Sequence, residues 1–297
     1  MASSLDIPGL KYACHQYGDH DLQRVGVWRF EDDAPEAATS TQAYWIIFVH
    51  GGGWRDPRNT IHDFVPSIKH MLSLADLPKS AVRGFASLDY RLSPHPLFPQ
   101  DPASTPANEL REAEHPAHVQ DVLSALRLLD TEYGIGSNYV LVGHSAGGTL
   151  VQQIIMNNDA SYAWGPAAPL PAAIISISGI YDIRGLAERH GGVYEVFATG
   201  AFGADKQIWD AASPAKYTGN FKTILSNGPR LLILATSAED TLIDIPEIDA
   251  MEAKLIKDGV TPVVIRNLRL EHDEIWEDGT QVATLIADAV AKLQQQP

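Results

Sequence analysis

Tyr139-Val140-Leu141-Val142-Gly143-His144-Ser145-Ala146-Gly147-Gly148-Thr149-Leu150 reads as a short apolar strand, a sharp turn and the start of a helix. The first four residues are an uninterrupted apolar run, and from Ala146 to Asn157 apolar residues recur three and four apart. Between them stands G-x-S-x-G, whose two glycines let the backbone turn tightly and let neighbouring elements approach. This places the Ser145 hydroxyl at the carboxyl edge of a sheet, where the N-terminus of the next helix favours developing negative charge. G-x-S-x-G also occurs by chance in loops, but the strand-turn-helix context singles out Ser145 as the nucleophile.

Working outward, similar apolar runs recur at Tyr44–Val49, Val82–Leu88, Ala173–Ser178, Leu231–Ala235 and Val263–Asn267, with Val25–Phe30 as an antiparallel edge strand. Helical patterns cover His118–Tyr133, Ala146–Asn157, Ile245–Lys257 and Gln281–Leu293. Strand and helix alternate, so the expected class is α/β, with a mostly parallel central sheet flanked by helices. Residues 93–116, rich in Pro, and 182–229, with Trp209, Tyr217 and several Gly, interrupt the rhythm. Such insertions between sheet strands are expected to form loops or a cap over a site. With no internal repeat or linker, 1–297 reads as one domain with a small cap at about 182–229.

The 297 residues carry 22 Lys+Arg and 37 Asp+Glu, a formal charge of −15. Without a basic cluster, neither nucleic acid nor an anionic membrane is an expected partner. A small-molecule substrate remains, and the oligomeric state is not legible. The single cysteine, Cys14, excludes an intramolecular disulfide and a cysteine-rich zinc site. It is expected to serve packing. The opening residues MASSLDIPGLKYACH have no basic and apolar leader pattern, and no apolar stretch approaches the roughly 20 residues that cross a bilayer. The expected location is cytoplasmic.

A serine nucleophile needs a base and an orienting acid, in the chain order Ser, Asp/Glu, His for this architecture. After His190 the chain has a single histidine, His272, just beyond the last strand, and it is the candidate base. For the acid, the run Thr236-Ser237-Ala238-Glu239-Asp240-Thr241-Leu242-Ile243-Asp244 favours Asp240, with Glu239 and Asp244 as competitors. Backbone N–H groups are the expected oxyanion donors. In His50-Gly51-Gly52-Gly53-Trp54, three glycines leave peptide N–H groups unobstructed, so Gly52, Gly53 and Ala146 are the candidate donors. His50 is expected to order that loop by hydrogen bonding, being in the wrong order to act as base. His115 and His118 have metal-like spacing without further ligands and read as a solvated helix start. No nucleotide-binding glycine motif is present, and the expected chemistry requires neither a metal nor an organic cofactor.

These motifs carry a resemblance. His50-Gly51-Gly52-Gly53-Trp54, Gly143-His144-Ser145-Ala146-Gly147, the Asp240 and His272 loops and Asp89-Tyr90-Arg91-Leu92-Ser93-Pro94 resemble the hormone-sensitive-lipase-like branch of the α/β-hydrolases. Within it the chain is most similar to the kynurenine formamidase (arylformamidase) family, whose pattern is H-G-G-x-W. The similarity spans about Val25 to His272. It implies hydrolysis of N-formyl-L-kynurenine to L-kynurenine and formate, in tryptophan breakdown. A formanilide has a small acyl group and an arylamine leaving group, so Trp54 is a candidate for stacking on substrate. Arg91, Asp182 and His144 are candidates for its charged head, each equally a structural hydrogen-bonding residue. Two other readings remain: a carboxylesterase or lipase for short acyl or aromatic esters using the same residues, and a hydrolase-fold binding protein without catalysis.

Overall fold

The computed structural model describes residues 5–31, 43–75, 77, 79–226 and 228–295. The first four residues of the opening stretch and position 227 of the expected cap lie outside them. Eight strands are described, β1 (Leu10–Gln16), β2 (Arg24–Phe30), β3 (Tyr44–Val49), β4 (Val82–Leu88), β5 (Tyr139–His144), β6 (Ala173–Ile177), β7 (Leu231–Ser237) and β8 (Val263–Leu268). They form one sheet in the order β1-β2-β4-β3-β5-β6-β7-β8. β1 and β2, and β2 and β4, pair antiparallel, and every later neighbour pairs parallel.

The continuous apolar runs are explained by burial on both faces. Along β3, Trp45, Ile47 and Val49 enter one apolar layer while Tyr44, Ile46 and Phe48 enter the other. β5 divides Tyr139 and Leu141 from Val140 and Val142 in the same way. One layer is covered by α2 (Ala117–Tyr133), α3 (Ala146–Met156) and α8 (Ile245–Lys257). The other lies under α1 (Val65–Ser73) and α10 (Thr280–Gln294). Each fully buried Ile, Leu or Val on these strands contributes roughly 1.5–3 kcal/mol, so the two-sided sheet holds the frame on which the loops stand.

The expected α/β class is observed, with strand bounds within two residues of those read from sequence. β1 was not foreseen: it is an edge strand, and of LKYACHQ only Leu10 is buried. Cys14 is exposed there as a free thiol, so the packing role expected of it is corrected. The 182–229 stretch forms α4 (Ile183–His190), α5 (Gly192–Phe202), α6 (Lys206–Ala212) and α7 (Phe221–Ile224). Short α9 (Glu274–Asp278) precedes α10. Among the described residues, no helix is long and apolar enough to cross a membrane.

Between β3 and β5 the chain order reverses, since β4 lies on one side of β3 and β5 on the other. In parallel sheets a crevice opens at such a point, outside the carboxyl ends of the strands. The loops after β3, β5, β7 and β8 carry His50–Trp54, Ser145, Asp240 and His272 to that edge.

Candidate active site

Ser145 is the single residue between β5 and α3 and holds φ 55° and ψ −121°, a strained conformation for a side chain larger than glycine. The backbone on either side of it is closely packed. A Cβ on Gly143 would lie 2.2 Å from the Gly147 carbonyl oxygen, and one on Gly147 would lie 2.1 Å from that of Val49. The Ser145 N–H donates to Ile177 O at 2.9 Å, tying the turn to β6.

The loop after β3 is fixed from below. Tyr90 donates its hydroxyl to the carbonyls of Gly51 (2.9 Å) and His50 (3.1 Å), and its ring stacks on His50 at 4.5 Å. His50 is buried with Nε2 3.7 Å from Asp89 Oδ1; burial pushes its pKa down, against the pull of Asp89. Gly52 and Gly53 both have positive φ, +82° and +55°, which turns their peptide planes along the loop. A Cβ on Gly51 would come 2.9 Å from that of Ser145, so the glycine loop and the serine turn meet.

Beyond β7 and β8, His272 donates its Nδ1–H to the Asp240 carboxylate oxygen Oδ2 at 2.8 Å. The other carboxylate oxygen, Oδ1, accepts from the N–H groups of Leu242 and Ile243, each at 2.9 Å. Burial raises the Asp240 pKa, but the hydrogen bond and charge of His272, the Ile243 N–H and Ser178 outweigh it and hold it down at about 2. The competitors are engaged elsewhere. Glu239 accepts from Leu270 N at 2.8 Å and pairs with Arg269, while Asp244 pairs with Arg189 and His190.

A cavity of about 260 Å³ joins these loops, with Ser145, His272, Gly52 and Gly53 on its wall. Val193, Tyr194 and Phe197 of α5 close it from above, and Tyr194 donates its hydroxyl to Leu242 O at 2.7 Å. A larger groove, about 780 Å³, runs between the Pro-rich 94–112 segment and the other face of α5. It shares His95 with the smaller cavity but contains none of Ser145, Asp240 or His272. The chemistry, not the volume, therefore locates the site.

Several expectations are corrected. Trp54 is fully buried and does not line the cavity. Its indole lies edge-on to Phe202 at 4.9 Å and tilted to Phe197 at 5.9 Å, so it supports Phe197, and Phe197 is the aromatic that faces the cavity. Arg91 is bound to Asp121 through Nε (2.9 Å) and Nη2 (2.7 Å). Asp182 caps α4 at Gly185 N (2.8 Å) and pairs with Lys216 (2.9 Å). His144 is buried with its ring 4.5 Å from that of His272, and burial holds it well below the usual imidazole range, hence neutral. None of the three lines the cavity. His118 is fully buried, 3.0 Å from Ser93 Oγ, not at a solvated helix start. Sequence reading passed over Arg55, Tyr194 and Phe197, which do line it. Only the position of Arg55 beside the glycine loop hinted at this.

Residues 46–284 match the alpha/beta hydrolase family. The chain is 33% identical over 264 residues to a kynurenine formamidase-like hydrolase of Fusarium equiseti, covering 86% of this chain and 85% of that protein. It is 33% identical over 258 residues to a kynurenine formamidase of Aspergillus versicolor, covering 80% and 85%. With a kynurenine formamidase of Meyerozyma guilliermondii, identity is 30% over 278 residues, 93% of this chain and 92% of that one. Among solved structures, an inhibited esterase B of Lactobacillus rhamnosis shares the fold at 14% identity, with a TM-score of 0.71 over 98% of this chain and 89% of that one.

Proposed function

The chain belongs to the alpha/beta hydrolase family and, within it, to the kynurenine formamidases, and from that premise we propose a serine mechanism for hydrolysis of N-formyl-L-kynurenine to L-kynurenine and formate. The observation that carries the mechanism is the 2.8 Å contact of His272 with Asp240 on a cavity shared by His272 and Ser145. Kinship over most of the chain supports the formamide as substrate.

Neutral His272 takes the Ser145 proton as the hydroxyl oxygen bonds to the formyl carbon, while Asp240, ionised through the neutral range, holds the imidazole tautomer and stabilises the imidazolium. Charge developing on the formyl oxygen meets the N–H groups of Gly52, Gly53 and Ala146, with the N-terminus of α3 behind them. His272 then gives its proton to the departing arylamine nitrogen as the C–N bond breaks. Water attacks the formyl ester as the same ring takes its proton, and when the C–Oγ bond breaks that proton passes to Ser145 Oγ, which restores the hydroxyl and releases formic acid, ionising to formate. The proposal needs no metal or organic cofactor. His50 acts through the loop it packs under, not on substrate.

The reading extends to one hydrolase unit with residues 182–229 as its cap, supported by α5 over the cavity. A charge of −15 and one unpaired cysteine support a cytoplasmic enzyme without nucleic-acid or membrane partners. The test is kcat/KM for N-formyl-L-kynurenine against p-nitrophenyl acetate, with Ser145→Ala as the blank. A marked preference for the formanilide is expected; ester turnover without formanilide turnover refutes the substrate.

A further inference from the structure

Desolvating a guanidinium is costly, and Arg55, only 8% exposed, has its pKa lowered by that burial, with the charge of Asp56 pulling the other way. It follows Trp54 in the loop after β3 and lines the cavity that holds Ser145 and His272. Among the described residues its guanidinium makes no hydrogen bond or ion pair. It is held instead over the ring of Phe197, 5.7 Å from Cζ to the centroid, and Phe197 in turn rests on buried Trp54. Arg58, the other arginine on this wall, is engaged. Arg58 grips Asp56 through Nε (3.0 Å) and Nη2 (2.6 Å), and Asp273 accepts from Trp276 Nε1 at 3.3 Å. His95 is held neutral first by burial and then by Arg55 itself. The cavity thus presents, among the described residues, a cation with its donor fork unused.

Resting on the formamidase reading, the geometry points to Arg55 as the residue that selects substrates bearing a carboxylate on the leaving-group side of the scissile bond. The formyl group is too small to carry a charge, so an anion that reaches Arg55 belongs to the aryl portion. One free guanidinium matches one carboxylate, accepted by two parallel N–H···O bonds. For N-formyl-L-kynurenine this is the α-carboxylate.

The test compares kcat/KM for N-formyl-L-kynurenine and for its decarboxylated analogue, which keeps the amine, ketone and formanilide, in wild type, Arg55→Met and Arg55→Lys. Wild type is expected to favour the carboxylate roughly 10- to 100-fold, the usual range for hydrogen bonds to a charged group. In Arg55→Met that ratio collapses to about threefold or less, mainly through KM, and Arg55→Lys restores part of it. A wild-type ratio near one, or a ratio that survives Arg55→Met, overturns the assignment. Inhibition of wild type by L-kynurenine and by decarboxylated kynurenine needs no variant, and equal inhibition constants also overturn it. If neither formanilide is hydrolysed, the formamidase reading fails separately, and 3-acetoxybenzoate against phenyl acetate poses the same question. A carboxylate preference lost in Arg55→Met then upholds Arg55, and its absence refutes it.

Discussion

Replacing Asp240 by Asn changes one atom at the point on which the proposed proton relay depends. Oδ1 continues to accept from Leu242 and Ile243, both at 2.9 Å, so the loop keeps its shape. The change falls on the second atom, 2.8 Å from His272 Nδ1, where an amide nitrogen can only donate. His272 must then accept at Nδ1 and carry its proton on Nε2, which leaves it unable to take one from Ser145. A wrong tautomer of this kind lowers kcat by about 10⁴, equal to about 5.5 kcal/mol at 1.36 kcal/mol per tenfold. The effect on folding is far smaller. The Asp240 side chain is fully buried, and its pKa of about 2 lies below its ordinary 3.8, a difference of about 2 kcal/mol. Because the folded pKa is depressed, that stability is complete above the unfolded carboxylate range and is lost as pH falls through about 2. At pH 7, Asp240→Asn should therefore unfold at slightly lower urea, by about 2 kcal/mol at most, while kynurenine formation followed by absorbance falls by three to four orders of magnitude. Retention of more than a tenth of wild-type kcat, or an equal loss in Glu239→Gln or Asp244→Asn, refutes the assignment.

Ser145→Gly should be inactive and unlabelled by a fluorophosphonate yet more stable, since glycine relieves a strain of roughly 1–3 kcal/mol at φ 55°; a lower melting temperature counts against that strain. Gly147→Ala should prevent soluble folding because its Cβ would meet Val49 O at 2.1 Å, whereas Gly53→Ala has only Phe197 at 3.9 Å and should fold. Its cost is then about 1 kcal/mol for the positive φ, with the greater loss in kcat, read from parallel expression and rate measurements. Glu247 accepts from Tyr181 N (2.6 Å) and Asp182 N (2.7 Å), but burial outweighs these bonds and Arg189, raising its pKa to about 7. A raised carboxyl contributes stability present below its unfolded range and lost as pH rises through about 7. Glu247→Gln should flatten the fall in urea stability between pH 4.5 and 7.5 by on the order of 3 kcal/mol, and an unchanged slope contradicts this.

The central strands were legible because a residue buried on both faces must be apolar at every position, and Tyr44–Val49 and Leu231–Ala235 are. β1 was not, since an edge strand with mixed exposure has no such constraint. Helices in residues 182–229 were missed for another reason: α5 is apolar or small almost all round, and α6 and α7 are only 7 and 4 residues long. Helices that short have weak periodicity and are stabilised by what they pack on. Trp54 shows the limit at a site. Its place in the glycine loop was plain, but α5 closes over that loop, so the indole turns inward and Phe197 faces the cavity.

The central strands, the serine turn and the order of candidate groups along the chain follow from local sequence alone. Each of these is written in local spacing: unbroken apolar runs through strands buried on both faces, glycines where a Cβ cannot fit, polar residues where strands end. The tertiary packing sets which of Glu239, Asp240 and Asp244 meets His272, and it holds Arg55 over the Phe197 ring of α5. Those outcomes depend on contacts between segments far apart in the chain, whose positions are set by the packing of the whole sheet and its helices and leave no periodic trace at the residues themselves.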